Sequence, residues 1–247
     1  MVRTVAVILA AGMGKRMESD LPKVLHPVNG RPMVAYAIDS AIAATGEKPI
    51  LIIGHKAEKV RDFVGNQAHF VLQEEQLGTG HAVQQAEGLL SKLYDFVLVL
   101  SADMPLLTPK TLQQLITFQL SHSGPISMLT VVADDPHGFG RVIRDEKGQV
   151  QQIVEEAVAT PAQLRVRELN AGVYCFSGAW LWAALKEIKL SPKGEYYLTD
   201  LVEIAVEKKL SVQAITLDDP IEAIGVNTRA HLLEADSLMI QRHSMKI

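Results

Sequence analysis

A single cysteine, Cys175, occurs in 247 residues, so neither an internal disulfide nor a cysteine-rich metal site can form. It lies in the strand-like run NAGVYCF, where a buried, inert thiol is the expected state. Excess positive charge is missing too. Lys and Arg number 24 against 28 Asp and Glu, a formal net charge of −4, which argues against a general nucleic-acid binder. Any cation needed for a ligand must then be concentrated locally, and Lys15, Arg16, Lys23 and Arg31 fall within 17 residues of one another. No apolar run is long enough to span a bilayer. The opening MVRTVAVILAAGMGK passes straight from an apolar run into glycines, so it reads as a core strand rather than a signal peptide. The expectation is a soluble cytoplasmic protein with no nucleic-acid or membrane partner.

What is present is a well-filled core, with 48% hydrophobic and 21% charged residues, and a regular rhythm in the first half. TVAVILA precedes a helical pattern over 32–44, KPILIIG one over 58–64, HFVLQ one over 80–90, and DFVLVLSAD one over 109–121. Such β-α alternation, with strands written as unbroken apolar runs, marks a mostly parallel sheet covered by helices on both faces. After Ser127 the rhythm changes. SMLTVVADD, GRVIRD and VQQIVEE are short strand candidates. NAGVYCF is followed by the helical stretches FSGAWLWAALKEI and LTDLVEIAVEKK, then by the strand VQAITL and an amphipathic closing helix, RAHLLEADSLMIQRH. Ligands of open α/β sheets bind at the carboxyl ends of strands, which directs attention to residues 9–16, 73–80, 101–105 and 170–172.

The glycine-rich stretch LAAGMGKRMESDLPK follows the first strand. A Walker loop would need a glycine at position 9 and a hydroxyl at 16, where Leu9 and Arg16 stand, and a Rossmann fingerprint would need a small residue in place of Met17. Both standard phosphate loops are excluded. Small residues at a strand tip still let backbone N–H groups approach a phosphate or a base edge, and flexible cations can reach phosphate oxygens. An ordinary strand-to-helix turn with solvated basic residues is the plain alternative.

LAAGMGKRM with DLPK resembles the L-A-A-G-x-G-T/S-R-M…L-P-K signature of the sugar-phosphate nucleotidyltransferases. The likeness is greatest to the uridyltransferase portion of the bifunctional N-acetylglucosamine-1-phosphate uridyltransferase / glucosamine-1-phosphate acetyltransferases. VLQEEQLGTGHAV, DDPHGFGRVIRD, GEYYLTD and VNTR follow in the family's order, so the resemblance spans residues 5 to about 230. It implies a Rossmann-like, mixed but mostly parallel sheet of the nucleotide-diphospho-sugar transferase type, with no hexapeptide-repeat β-helix. One domain over 1–247 is expected, with a nucleotide-binding half (1–130), an acceptor-binding half (131–228) and a C-terminal helix (229–247).

The implied reaction joins UTP and a sugar 1-phosphate into a UDP-sugar and pyrophosphate, with Mg²⁺ as cofactor; the sequence does not indicate an oligomeric state. Such chemistry asks for positioning and charge neutralisation rather than a strong base, in keeping with the lack of a Ser-His-Asp or Cys-His arrangement. The resemblance implies that Arg16 and Lys15 serve the departing pyrophosphate, Lys23 the α-phosphate, and Asp103 with Asn227 the metal. The nucleotide is assigned to Leu9, Ala10, Ala11, Gly12, Gly14 and Lys15 at one strand tip. Gln73, Gly78 and Thr79 serve it at another, and Ser101 and Ala102 at a third. Gly140, Glu155, Asn170, Tyr197 and Thr199 are assigned to the sugar. Of Tyr196 and Tyr197, one is expected in the core.

Three departures concern the acceptor side. Ser101-Ala102-Asp103 replaces Y-G-D, Ala157-Val158 replaces a Lys-Asp pair after VEE, and Asn170-Ala171-Gly172 replaces N-T-G. An aromatic wall and a cation near the sugar phosphate are thereby lost. N-acetylglucosamine 1-phosphate is the expected acceptor, with another sugar 1-phosphate, a thymidylyl- or cytidylyltransferase, and a non-catalytic sugar-nucleotide sensor as alternatives.

Overall fold

The computed structural model describes residues 2–133, 136 and 138–244, without the side chain of His243. The elements are β1 (Thr4–Ala10), β2 (Pro27–Val28), β3 (Arg31–Pro32), α1 (Met33–Thr45), β4 (Ile50–Ile53), α2 (Ala57–Val64) and β5 (His69–Leu72). Next come α3 (Thr79–Gln84), α4 (Glu87–Leu90), β6 (Phe96–Ser101), α5 (Pro109–Leu120), β7 (Ile126–Val132), β8 (Arg141–Arg144), β9 (Val150–Val154) and α6 (Pro161–Leu164). The chain ends with β10 (Glu168–Ser177), α7 (Gly178–Leu185), α8 (Asp200–Glu207), β11 (Val212–Thr216) and α9 (Arg229–Ser244).

Nine of these strands form one sheet in the order β11-β7-β10-β6-β1-β4-β5, with β8 and β9 attached beside β10. Strands β6, β1, β4 and β5 pair in parallel, as do β11 and β7, while β10 runs antiparallel to both of its neighbours in that order. The mixed, mostly parallel sheet expected from the sequence is therefore present, with helices on both faces.

The reason β1 reads as an unbroken apolar run is visible in its packing. Ala6, Ile8 and Ala10 face one core layer with Val34 and Ile38 of α1 and Leu112 and Leu115 of α5. Val5 and Val7 face the other, with Val83 of α3, Leu181 of α7 and Leu201 of α8. A strand covered on both faces has no solvent side to mark with polar residues. A smaller cluster joins Val28, Met33, Leu106 and Val226 to Ala235 and Met239 of α9.

Three local expectations need correcting. The helix anticipated over 80–90 is split into α3 and α4, because the chain tightens to i→i+3 bonds at Ala86 N–H to Val83 and Leu89 N–H to Ala86, the pattern that interrupts an α-helix. The short β2/β3 hairpin was not anticipated, since four residues flanked by prolines give no alternation to read. The amphipathic reading of the closing helix is too simple: Ala235 and Met239 are buried, whereas Leu233 and Ile240 on α9 are exposed. Asp134, Asp135 and His137 of DDPHGFG lie outside the described residues.

Cys175 is fully buried between β6 and β7, and burial pushes its thiol up to about 12. A disulfide reagent such as DTNB is expected to leave the native chain unlabelled and to react with one thiol per chain in denaturant; prompt native labelling would show that the sheet opens there.

Candidate active site

The glycine stretch leaves β1 and makes two 3-10 turns, Lys15–Met17 and Lys23–Leu25. Met17 buries one turn, and Val24 with Leu25 buries the other. Lys23 is thus carried on an anchored segment, and only the far part of its side chain is left to move. Gly14 has φ +61°, and a Cβ there would sit 2.7 Å from the Lys23 Cβ. Glycine is needed both for the left-handed backbone and for this contact. Gly78, at φ +99°, likewise meets the Tyr196 backbone, where a Cβ would lie 2.6 Å from its carbonyl oxygen. That close approach docks GEYY beside LGTG, helped by a Gly80 N–H bond to the same carbonyl (2.8 Å).

The two segments border a cleft with two lobes. One, of about 540 Å³, is lined by Leu9, Ala10, Ala11, Gly12, Lys15, Lys23, Gln73, Gly78, Thr79 and Tyr197. The other, of about 490 Å³, is lined by Arg16, Gly140, Asn170, Ala171, Gly172, Asn227, Thr228 and His231. Ser101, Asp103 and Glu155 line both. Asp103 therefore stands where the lobes meet.

At that junction the Lys23 ammonium pairs with Asp103 Oδ2 and donates to Asn227 Oδ1 at 2.6 Å. The pair is mostly withdrawn from solvent, with Lys23 and Asp103 side chains 13% and 18% exposed. The two oxygens belong to strands of chain far apart, yet a backbone bond from Val226 N–H to the Asp103 carbonyl (2.8 Å) fixes their spacing. Both oxygens converge on one cation, and one carboxylate with one amide oxygen is a hard donor set of the kind a divalent cation takes, with part of its charge left for phosphates to neutralise. Among the described residues no group of three His, Cys, Asp or Glu side chains could hold a metal.

Two side-chain amides have their orientation fixed from behind. Gln73 is 3% exposed, and its Nε2 donates to the Gly78 carbonyl and to His81 Nδ1, both at 3.1 Å. A carbonyl can only accept, so the amide nitrogen must face Gly78, and Oε1 is left as an acceptor for the cleft. Asn170 is held the opposite way. Its Oδ1 accepts from Gly172 N–H (3.1 Å) and Tyr174 O–H (2.9 Å), which leaves the Nδ2 donors for the second lobe. Glu155 Oε1 accepts from Thr199 Oγ1 (3.1 Å), and burial pushes the Glu155 carboxyl above the usual range, with the Thr199 bond opposing.

Most residues expected from the sequence thus come together. Ala102 does not: it is fully buried, with its N–H on the Leu9 carbonyl, so its methyl packs into the core rather than into the cleft. Gly14 and Thr199 stand behind the surface as supports of Lys23 and Glu155. Arg16, expected beside Lys15, lines the other lobe. Ala157 and Val158 lie exposed on a 3-10 turn and line neither lobe, so that departure leaves the walls of the cleft unchanged. Tyr197 lines the cleft and Tyr196 packs against the core. Sequence reasoning missed His81, His231 and Arg229. The Arg229 guanidinium bonds the Met17 and Glu18 carbonyls (3.2 and 2.8 Å) and ties α9 to the glycine stretch. A helix-starting arginine carries no signal of that contact.

The comparisons with known proteins bear on the same residues. Residues 5–220 match the family model described as nucleotidyl transferase. The chain belongs to the nucleotidyl transferase family. It is 48% identical over 238 residues to the bifunctional protein GlmU of Pelotomaculum thermopropionicum, covering 96% of this chain and 52% of that protein. Against the GlmU of Lactobacillus delbrueckii subsp. bulgaricus the identity is 46% over 237 residues, 96% of this chain and 51% of the relative. The Streptococcus gordonii GlmU is 45% identical over 242 residues, 98% and 53%. The chain spans about half the length of the curated relatives it matches.

Asp200, at the start of α8, has its carboxyl pushed up to about 6 by burial, with Glu203 and Glu155 adding to the effect. The folded pKa exceeds the unfolded one, so the native state holds its proton longer and stability falls as pH rises from about 4 to about 6. Asp200→Asn is therefore expected to stabilise the fold at pH 8 by about 1 kcal/mol, discounted for partial exposure. Denaturant unfolding should show the gain vanishing near pH 4; equal gains at both pH values would remove this cause.

Proposed function

We propose that the chain transfers a uridylyl group from UTP to a sugar 1-phosphate, with N-acetylglucosamine 1-phosphate as acceptor and Mg²⁺ as cofactor. An oxygen of the sugar phosphate attacks the α-phosphorus, a new P–O bond forms, and the bond to the β-phosphate breaks, with pyrophosphate leaving on its bridging oxygen. The observation that carries the reading is the pair of lobes sharing Asp103, since donor and acceptor must meet at one phosphorus. The attacking phosphate is already ionised at neutral pH, so the protein's task is to position it and neutralise charge.

Lys15 and Arg16 leave one 3-10 turn toward different lobes, and neither forms an ion pair among the described residues. They are free to follow the departing pyrophosphate, while Lys23 is close enough to the junction to serve the α-phosphate. Asp103 and Asn227 would hold the Mg²⁺, whose positive charge would offset that of the phosphates when bound.

The Gln73 acceptor supports uracil, whose ring N3–H is a donor, over cytosine, whose N3 is an acceptor. The Asn170 donors and the Glu155 acceptor support an acceptor sugar bearing hydroxyl or amide groups. N-acetylglucosamine 1-phosphate is the acceptor implied by the motif likeness, and the similarity to about half of each GlmU relative is in keeping with it. Nucleoside triphosphates are cytoplasmic, and the proposed enzyme is placed there with them.

Pyrophosphate release across a matrix of nucleoside triphosphates and sugar 1-phosphates, with and without Mg²⁺, tests the reading. Turnover is expected with UTP and N-acetylglucosamine 1-phosphate. Asp103→Ala and Lys23→Ala should abolish it while circular dichroism stays native; near-normal rates in either would remove the mechanism. In the same matrix CTP is expected to be used about 100-fold less well in kcat/KM, the upper end of the roughly 1–3 kcal/mol that an unpaired buried polar group costs. Equal use of CTP would sink the role given to Gln73.

A further inference from the structure

The family likeness gives Lys23 to the α-phosphate, yet in the free protein its ammonium rests on Asp103 Oδ2 and Asn227 Oδ1. Those are the oxygens through which a divalent cation would be held. A lysine ammonium and a divalent cation cannot share them, because two cations at ligand distance repel strongly in a partly desolvated site. One must leave before the other enters.

The surroundings limit how it can leave. Pro22, Val24 and Leu25 are buried on either side of Lys23, and its Cβ lies so near Gly14 that a Cβ added to that glycine would come within 2.7 Å of it. The lysine backbone therefore stays, and the ammonium moves only by turning its outer methylenes. The open direction is the first lobe, which Lys23 already lines with Lys15 and Gly12. Lys15, Glu155 and Glu195 line that lobe as well, but the partners of the ammonium in the free protein are Asp103 and Asn227, so it leaves them only for a stronger anion. A triphosphate supplies the missing anion.

We propose that Lys23 holds the cation's place in the free protein, and that a nucleoside triphosphate opens the metal site by drawing the ammonium onto its own oxygens. Metal and nucleotide then bind cooperatively, and by linkage each tightens the other by the same factor. The identity of the group that draws Lys23 away rests on the proposed function. The competition between ammonium and metal does not, since it belongs to three side chains of the free chain. The device also has a use: a metal bound alone between Asp103 and Asn227 would gather stray phosphate at the junction, whereas the lysine keeps it neutral.

The test is Mn²⁺ titrated into the 247-residue chain without nucleotide, with free ion read by electron paramagnetic resonance. Lys23→Met should bind a single Mn²⁺ about tenfold or more tighter than the unsubstituted chain, within the usual range of such couplings, and Lys23→Met with Asp103→Asn should lose it. Equal or weaker binding by Lys23→Met overturns the proposal. If Lys23→Met fails to fold by circular dichroism, Lys23→Gln, which keeps a neutral donor near the two oxygens, carries the same comparison. UTP binding to the unsubstituted chain, measured by calorimetry, separates the two ideas. No UTP binding with tighter Mn²⁺ in Lys23→Met would sink the nucleotide reading and keep the placeholder. UTP binding with unchanged Mn²⁺ affinity would do the reverse.

Discussion

One ammonium group, Lys23 Nζ, joins parts of the chain that are 80 and 204 residues apart, by its contacts with Asp103 and Asn227. Around that junction the tip of β1, the tip of β6 and the loop before α9 have to arrive at matching height. The sheet register supplies two of the three. Leu9 sits beside Ser101 in the β1/β6 pairing, which puts the glycine stretch and Asp103 at the same edge. The third is supplied by the Val226 bond to the Asp103 carbonyl and by Arg229 clasping the Met17 and Glu18 carbonyls. A charge pair mostly withdrawn from solvent is costly when either member is left alone, so the geometry that brings all three segments together also neutralises them.

Strand β10 shows how topology places a site residue. Asn170–Gly172 were singled out as a carboxyl-end strand tip, but they lie near the amino end of β10. They reach the cleft because β10 is reversed: Tyr174 pairs with Val99 and Phe176 with Val97, so moving back along β10 means moving forward along β6, toward Asp103. The carboxyl-end rule therefore does not describe how these residues come to line the cleft. The same reversal brings Asn170–Gly172 to the edge of the sheet where Ser101 and Asp103 stand.

Preorganisation of the two amides follows from groups outside the cleft. Gly78 and His81 turn the oxygen of Gln73 outward, and Gly172 with Tyr174 turn the nitrogens of Asn170 outward. An amide free to rotate could present either end, and discrimination between donors and acceptors would be lost. Fixing the amide before the ligand arrives removes the cost of ordering it on binding. The altered acceptor motif acts within this frame: Ser101 and Ala171 touch the cleft, whereas Ala102 and the 157–158 pair do not.

The sequence alone determined the sheet and the helices that cover it, because a strand buried on both faces has to be apolar throughout and an amphipathic helix has to repeat its apolar positions. It also determined where glycine and cations would gather, through LAAGMGKRM and LGTGHA, since positive φ and close backbone approach leave few other residues. It could not show that Asn227 meets Lys23, that Arg229 ties down Met17, or that Gln73 and Asn170 point opposite ends into the cleft. Those contacts join residues whose types are common in loops and turns, and no local pattern distinguishes a solvated asparagine from one aimed at a buried ammonium. Only the folded chain, by setting strand order, direction and register, decides which of these ordinary residues share a few ångströms of space.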